Sequence, residues 1–375
     1  MPEMKVSNTL SGYMPILDGW RGIAIVLVLL HHSRVSGSIP VIGPFLKQLT
    51  ETGSSGVWVF FAISGLLICD RMLQEERRQG RISLRNFYIR RVFRILPAVL
   101  LYLLTLAVLS PFLGVSRLEL VSSLFFFRNY VLAGFTDAHW FTGHLWSLAV
   151  VEHFYLLLPG IMVFFPRRRA WVLGALTCAV VAWRMAAHRF SLDRAYRTDL
   201  VLDALLIAAL LAIAANNDRC AAYLRRLLTP LFLVVLAAMY VAMLYIKVPF
   251  HLVLRSAILP LMLLSTLQRP ASLVGQILQS APLRWSGRLS FSLYLWQQLF
   301  LCDTWRHGAL PLGVAQRWPL NFGGLFGCAC ISYYFLERPM NRLGHRIASS
   351  DVPGRVVDQA PALEPIASIQ PESAR

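Results

Sequence analysis

The chain has 375 residues, 57% hydrophobic and 15% charged, with a mean hydropathy of +0.57. Soluble domains carry about 25% charged residues, so this composition excludes an ordinary soluble globule and indicates a polytopic, all-α integral membrane protein. The net charge of +17 would suit nucleic acid in a soluble chain. Here the basic residues lie in short loops between apolar runs, as orientation signals and contacts with anionic lipid headgroups do, and a nucleic-acid partner is excluded.

The apolar runs predict about ten transmembrane helices, at 16–33, 55–72, 93–113, 145–165, 170–187, 200–215, 229–246, 250–267, 286–303 and 319–336. The stretch 118–135 is read as re-entrant or interfacial. If it spanned, every later loop would invert and Arg167-Arg168-Arg169 would lie outside. With it excluded, and with Arg71, Arg94 and Arg288 at the cytoplasmic ends of their spans counted to that side, 23 Lys and Arg fall on the cytoplasmic side and 10 on the outer side, with Arg21, Arg184 and Arg255 deeper inside spans. The positive-inside rule then predicts both termini in the cytoplasm. The 73–94 loop, with Arg77, Arg78, Arg81, Arg85, Arg90, Arg91 and Arg94, is the strongest such signal.

The transmembrane domain is expected over 10–345. Residues 350–375 lose the apolar pattern, gain Pro, Ser and Glu, and are expected to form a disordered cytoplasmic tail. Asp18 and Arg21 interrupt the start of the first apolar run, which is therefore read as an uncleaved span rather than a signal peptide. The six cysteines form no Cys-x-x-Cys pair; they indicate neither a metal site nor a disulfide framework and read as small buried hydrophobes.

The first span carries Asp18, Arg21, His31 and His32 within Leu17-Asp-Gly-Trp-Arg-Gly-Ile-Ala-Ile-Val-Leu-Val-Leu-Leu-His-His32. An ionisable residue inside a span costs roughly 2.5–3.5 kcal/mol on insertion scales and is a functional candidate. Arg21 and His32 are eleven positions apart and fall within about 20° of each other on a helix. Asp18, three residues before Arg21, shares that side. One helix face thus offers an acid, a guanidinium and an imidazole over roughly 21 Å.

Gly53-Ser-Ser-Gly-Val-Trp-Val-Phe-Phe-Ala-Ile-Ser-Gly65 opens the second span with small residues that favour close helix packing; Ser64 is a candidate cavity-lining group. Phe87-Tyr-Ile-Arg-Arg-Val-Phe-Arg-Ile-Leu-Pro97 enters the third. There Arg91 and Arg94 share a face and suit either a phosphorylated ligand or an orientation signal. The fourth span holds Trp146, Ser147, Glu152, His153 and Tyr155. Glu152 is either functional or an interhelical hydrogen-bonding group. Asp203 and Arg255 suit a buried ion pair, mutual or with other partners, as well as they suit function. Trp285-Ser-Gly-Arg-Leu-Ser-Phe-Ser-Leu-Tyr-Leu-Trp-Gln-Gln298 begins the ninth span, where Ser290, Tyr294 and Trp296 suit sugar contact or interfacial anchoring.

Taken together, these stretches resemble the membrane-bound acyltransferase-3 family. The resemblance runs over about residues 10–345 and rests on Leu17-Asp-Gly-Trp-Arg-Gly with His32, Gly56 to Gly65, Tyr88 to Pro97, Trp146-Ser-Leu to Phe154-Tyr155, and Ser286 to Trp296. That family acylates hydroxyls of cell-surface sugars, lipopolysaccharide, exopolysaccharide, Nod factors and some macrolides. The resemblance implies an acyl-CoA donor, used from the cytoplasm of a bacterial cell whose inner membrane holds the protein. It makes His32 the essential histidine, Arg21 the first-span arginine, and Arg91 and Arg94, beside Tyr88, the pair near the coenzyme phosphates. Val151 stands where the family usually has Glu, Gln297 where it has His, and Val201 where it has Arg.

The expected activity is O-acylation, with acetyl the expected group and acetyl-CoA the donor, and no metal. The acceptor is a saccharide or glycolipid hydroxyl. His32 serves as general base or as acyl acceptor, Asp18 or Glu152 orients its imidazole, and Arg21 stabilises the oxyanion or the coenzyme. Trp146, Ser147, Tyr155, Ser290, Tyr294 and Trp296 are the expected substrate contacts. A transporter or flippase of a lipid-linked saccharide, or an inactive scaffold among polysaccharide-assembly proteins, are the competing readings.

Overall fold

A computed structural model describes residues 13–35, 53, 55–131, 140–189, 196–245, 251–302 and 310–349. Among these residues every element is helical. The predicted tail, 350–375, lies outside them.

Five stretches are long and apolar enough to cross a membrane. They are α1 (Pro15–Val35), α2 (Ser55–Gln79), α3 (Leu84–Leu113), α4 (Leu145–Phe164, preceded by the turn Trp140–Gly143) and α5 (Arg169–Arg189). A sixth is broken: α6 (Asp203–Ala215) meets α7 (Asp218–Leu227) at a bend of 106°. Two apolar helices, α8 (Pro230–Tyr245) and α9 (His251–Leu267), are shorter. Then come α10 (Ala281–Phe300), α11 (Leu320–Ile331), a π-helical turn (Ser332–Glu337) and α12 (Arg338–Ser349). Each predicted run falls at least partly on a helix, and among the described residues five to six, rather than ten, qualify as spans by length and composition. The thirteen residues of α6 rise only about 20 Å against a hydrocarbon core of about 30 Å.

Two boundaries differ from expectation. The arginine-rich 73–94 stretch is mostly helix rather than loop: α2 runs on to Gln79, and α3 starts at Leu84 behind the N-cap Ser83. Hydropathy marks where apolar side chains stop, not where helical hydrogen bonding stops. Ion pairs hold these polar extensions, Glu75 to Arg90 at 3.1 Å and Glu76 to Arg169 at 2.8 Å. The turn between them needs the left-handed backbone of Gly80, φ 71°, which costs glycine little.

The 118–135 stretch is not one continuous helix. Arg117–Leu124 and Arg128–Val131 are separate short helices, and Phe126 between them is left-handed at φ 59°. Arg128 is fully buried, bonded to Thr142 Oγ1 at 2.9 Å and to Glu119 at 3.4 Å.

The bundle is organised around α1, with glycines letting backbones touch. A Cβ on Gly287 of α10 would sit 1.8 Å from the Asp18 carbonyl oxygen. One on Gly56 of α2 would sit 2.2 Å from the Ala24 carbonyl oxygen, and one on Gly65 would meet Leu205 of α6 at 2.4 Å. This is the small-residue packing that membrane helices use where water supplies no hydrophobic drive. No described cysteine is in a disulfide; Cys69 and Cys302 are buried, whereas Cys178 and Cys220 are exposed on the bundle surface rather than buried as expected.

Candidate active site

Two cavities meet between α1, α2, α3, α4 and α10. The inner one, about 130 Å3, has mostly apolar walls, including Phe60, Phe61, Ile63, Leu148 and Ile95. Its uncharged polar groups are Ser64, Ser147, Tyr155, Ser290 and Tyr294. Ser147, Val151 and Tyr155 recur every four residues and form one face of α4. The outer cavity, about 690 Å3, opens where α1, α3 and α10 begin and α2 ends. Arg21, Leu67, Ile68, Arg91, Arg94, Ser290 and Phe291 line both and form the neck between them.

The outer cavity is strongly basic. Seven arginines line it against three carboxylates, and each carboxylate is engaged. Asp18 takes Arg21 at 3.1 Å and the Tyr13 hydroxyl at 2.8 Å. Glu75 takes Arg90, and Glu337 accepts from the Ser292 and Ser332 hydroxyls. Arg91 instead lies over the Tyr155 ring at 4.6 Å, a cation–π contact at the neck. From α12, His345 faces this space. Desolvation and the fields of Arg90, Arg94 and Arg91 hold its imidazole below the usual histidine range, so it is neutral at pH 7.

His32 is not among the residues that line the inner cavity. Its Nδ1 is 2.9 Å from the Val28 carbonyl oxygen. A carbonyl only accepts, so Nδ1 carries the proton and Nε2 of the neutral ring keeps its lone pair. Its ring packs edge-on against Trp140 at 5.9 Å and His31 at 5.4 Å.

A buried network joins this region to the cavity. Trp140 Nε1 donates to the Gln298 carbonyl at 3.0 Å. His144 Nδ1 donates to Gln298 Oε1 at 2.6 Å. The Tyr294 hydroxyl donates to the His144 carbonyl, and Ser147 Oγ lies 3.1 Å from the same hydroxyl. A path of contacts therefore runs from Ser147 and Tyr294, at the cavity wall, through His144 and Gln298 to Trp140 and His32.

Of the residues singled out in the sequence, Arg21, Arg91, Arg94, Ser147, Tyr155, Ser290, Tyr294 and Ser64 share the inner cavity. Asp18 lines the outer one. Others stand apart. Neither Asp18 nor Glu152 is bonded to the His32 imidazole; the Val28 carbonyl orients it instead. Val151 lines the cavity and Glu152 does not, as the 100° step between neighbours on a helix requires. Oε1 of Glu152 is buried without a hydrogen-bond partner.

Tyr88 reaches the Tyr155 carbonyl at 3.4 Å, outside both cavities. The Trp146 ring packs at a tilt against Tyr196, centroids 4.5 Å apart. Trp296 packs edge-on against Tyr102 at 5.6 Å, with Nε1 buried and unpartnered. Asp203 pairs with Arg184, at 2.7 and 3.1 Å, and with Ser256. It does not pair with Arg255, whose guanidinium lies over Trp58.

Sequence reasoning passed over His144, Gln298, Tyr102 and Trp140. The available signal was a polar amide, Gln298, within an apolar helix and a histidine directly before Leu-Trp-Ser-Leu. Among the described residues no three His, Cys, Asp or Glu side chains group to hold a metal ion.

The helical bundle, with segments long and apolar enough to span a membrane and a basic outer cavity leading to a mostly apolar inner one, is that of a multi-pass membrane protein. An acyltransferase-domain family model, acyltransferase-3, matches residues 14–337, and the chain belongs to this family. It is 26% identical over 363 residues to peptidoglycan O-acetyltransferase OatA of Listeria monocytogenes, covering 88% of this chain and 56% of that protein. It is 26% identical over 377 residues to O-acetyltransferase OatA of Staphylococcus aureus, covering 89% of this chain and 58% of that protein. The chain thus spans little more than half the length of these relatives. No solved structure matches it.

Proposed function

We propose that the protein is an integral-membrane O-acetyltransferase. It takes an acetyl group from acetyl-CoA on the cytoplasmic side and transfers it to a hydroxyl of a cell-surface polysaccharide or glycolipid. In this reading the chain spans a bacterial inner membrane about ten times with both termini inside, as the skew of basic residues supports.

The observation that carries the proposal is the charge gradient along the two joined cavities. A basic outer chamber narrows at Arg21, Arg91 and Arg94 into an apolar pocket. Coenzyme A thioesters have the matching form, a polyanionic head and a thin, uncharged arm ending in the acyl group. The inner pocket, at about 130 Å3, is near the size of an engineered cavity of about 150 Å3 that admits benzene. That suits a short acyl group such as acetyl and leaves little room for a long chain.

Transfer needs a base, because a hydroxyl is a poor nucleophile at neutral pH. His32 Nε2 is the acting atom. As base, it takes the hydroxyl proton while the oxygen attacks the thioester carbonyl. The C–S bond then breaks, and the proton passes to the departing thiolate. As acyl acceptor, the same nitrogen would hold the acetyl group first. Ser147 supplies a hydroxyl at the pocket wall where charge develops on the carbonyl oxygen, and Tyr294, whose own proton goes to the His144 carbonyl, lies against it. Arg21, held by Asp18, and Arg91 with Arg94 hold the phosphates at the neck.

The test is mass spectrometry of surface glycans and glycolipids from cells lacking the gene, complemented by wild type or His32→Ala. A one-acetyl increment that requires wild type and vanishes with His32→Ala supports the proposal and identifies the acceptor. No mass change, with altered amounts of surface polymer, would overturn it in favour of transport or assembly.

A further inference from the structure

Beyond the neck, the outer cavity carries arginines other than Arg21, Arg91 and Arg94. Leu67 and Ile68 of α2 line both cavities, whereas Arg71, Gln74, Glu75 and Arg78 line only the outer one. At 1.5 Å per residue, Arg78 lies about 15 Å along the helix from Ile68. Arg288 approaches the same chamber from the second turn of α10, where Gly287 is pressed against Asp18. Neither Arg78 nor Arg288 has a carboxylate partner among the described residues, in contrast with Arg90 and Arg21. On α12, His345 lines the same chamber, and its ring N–H is a further hydrogen-bond donor.

We infer that Arg78 and Arg288 form a second phosphate site, separate from the neck, which selects the donor by the 3′-phosphate on the ribose of coenzyme A. The inference rests on the acetyl-CoA reading above and adds a specificity element to it. Two guanidiniums from different helices can each present paired N–H donors to a phosphate monoester. A nucleotide whose diphosphate enters the neck leaves its ribose in the wide chamber, whose wall includes both of these side chains. The competing source of the same chemistry is the phosphate of a membrane lipid headgroup.

The experiment is equilibrium binding of CoA and of 3′-dephospho-CoA to the full chain in lipid nanodiscs, with and without anionic lipid. Wild type is expected to bind CoA more tightly than 3′-dephospho-CoA by about ten- to a hundredfold. Arg78→Gln with Arg288→Gln should lower CoA affinity to the dephospho level while leaving dephospho-CoA binding unchanged. The Lys variants at both positions, which keep the charge, should retain part of the preference and serve as a control for folding. Arg91→Gln with Arg94→Gln should weaken both ligands and keep their ratio.

A wild type that binds both nucleotides equally, or an Arg78→Gln/Arg288→Gln protein that keeps the full preference, overturns the second site but not the donor reading. If the substitutions instead change only the response to anionic lipid, the headgroup source is correct and the inference fails. Absence of binding by either nucleotide to wild type would overturn the acetyl-CoA reading itself.

Discussion

The Nδ1 of His32 donates to the carbonyl oxygen of Val28, 2.9 Å away and one turn earlier on the same helix. The backbone of α1 therefore sets the tautomer, leaving Nε2 with its lone pair. A carboxylate partner is not needed for this, which separates His32 from a triad geometry in which an acid orients the ring.

His32→Ala should lower acetyl transfer by at least about 10²–10⁴-fold, the usual contribution of a general base. The protein should still reach the membrane, because the bond it loses is local to one helix turn. Acetylated glycan measured by mass spectrometry, with membrane fractions assayed by immunoblot, checks this. Normal acetylation by the variant would remove His32 from the mechanism.

Arg91→Ala with Arg94→Ala should raise the apparent KM for acetyl-CoA by tenfold or more, since charge-assisted hydrogen bonds are worth about 1.5–3 kcal/mol each. The turnover number should change less. An unchanged KM accompanied by inverted topology, read by cysteine labelling from either side, would assign the pair to orientation alone.

Glu152 lies within electrostatic reach of Arg91 but off the cavity wall. Glu152→Gln should therefore act through Arg91, raising the KM for acetyl-CoA while kcat stays within about threefold of wild type, well under one 1.36 kcal/mol step of barrier. A kcat loss matching that of His32→Ala would place Glu152 in the chemical step.

Gly287→Ala puts a methyl group 1.8 Å from the Asp18 carbonyl oxygen. Backbone cannot yield as a flexible side chain would, so α1 and α10 must part. Overpacking of this kind costs about 1–3 kcal/mol, occasionally more. The shift also moves the Asp18–Arg21 pair. Thermal unfolding in detergent should report a lower midpoint, with activity lost in parallel; an unchanged midpoint would show that the two helices are not in backbone contact.

Asp203 and Arg184 act as a structural pair. Breaking it with Arg184→Leu leaves a buried carboxylate facing only Ser256 and should destabilise by about 3–5 kcal/mol. Arg184→Leu with Asp203→Leu should recover much of that loss, because both desolvation costs disappear together. Thermal stability of the single and double variants checks this. Full additivity of the two single effects would refute the pairing.

Hydropathy alone located the apolar helices, because the bilayer acts on each segment separately, and the helical repeat placed Asp18, Arg21 and His32 on one side of α1. The small residues of Gly53 to Gly65 announced close packing. Each of these is a property of residues near one another in the chain. The tertiary structure decided which faces meet. It put Val151, not Glu152, on the cavity wall, gave Asp203 to Arg184 rather than Arg255, and joined His144 to Gln298 across 154 residues. It also brought Arg78 and Arg288 to the chamber that Arg91 and Arg94 guard. These relations depend on the rotation and depth at which helices distant in sequence pack, fixed by glycine contacts and buried polar pairs that no local pattern records.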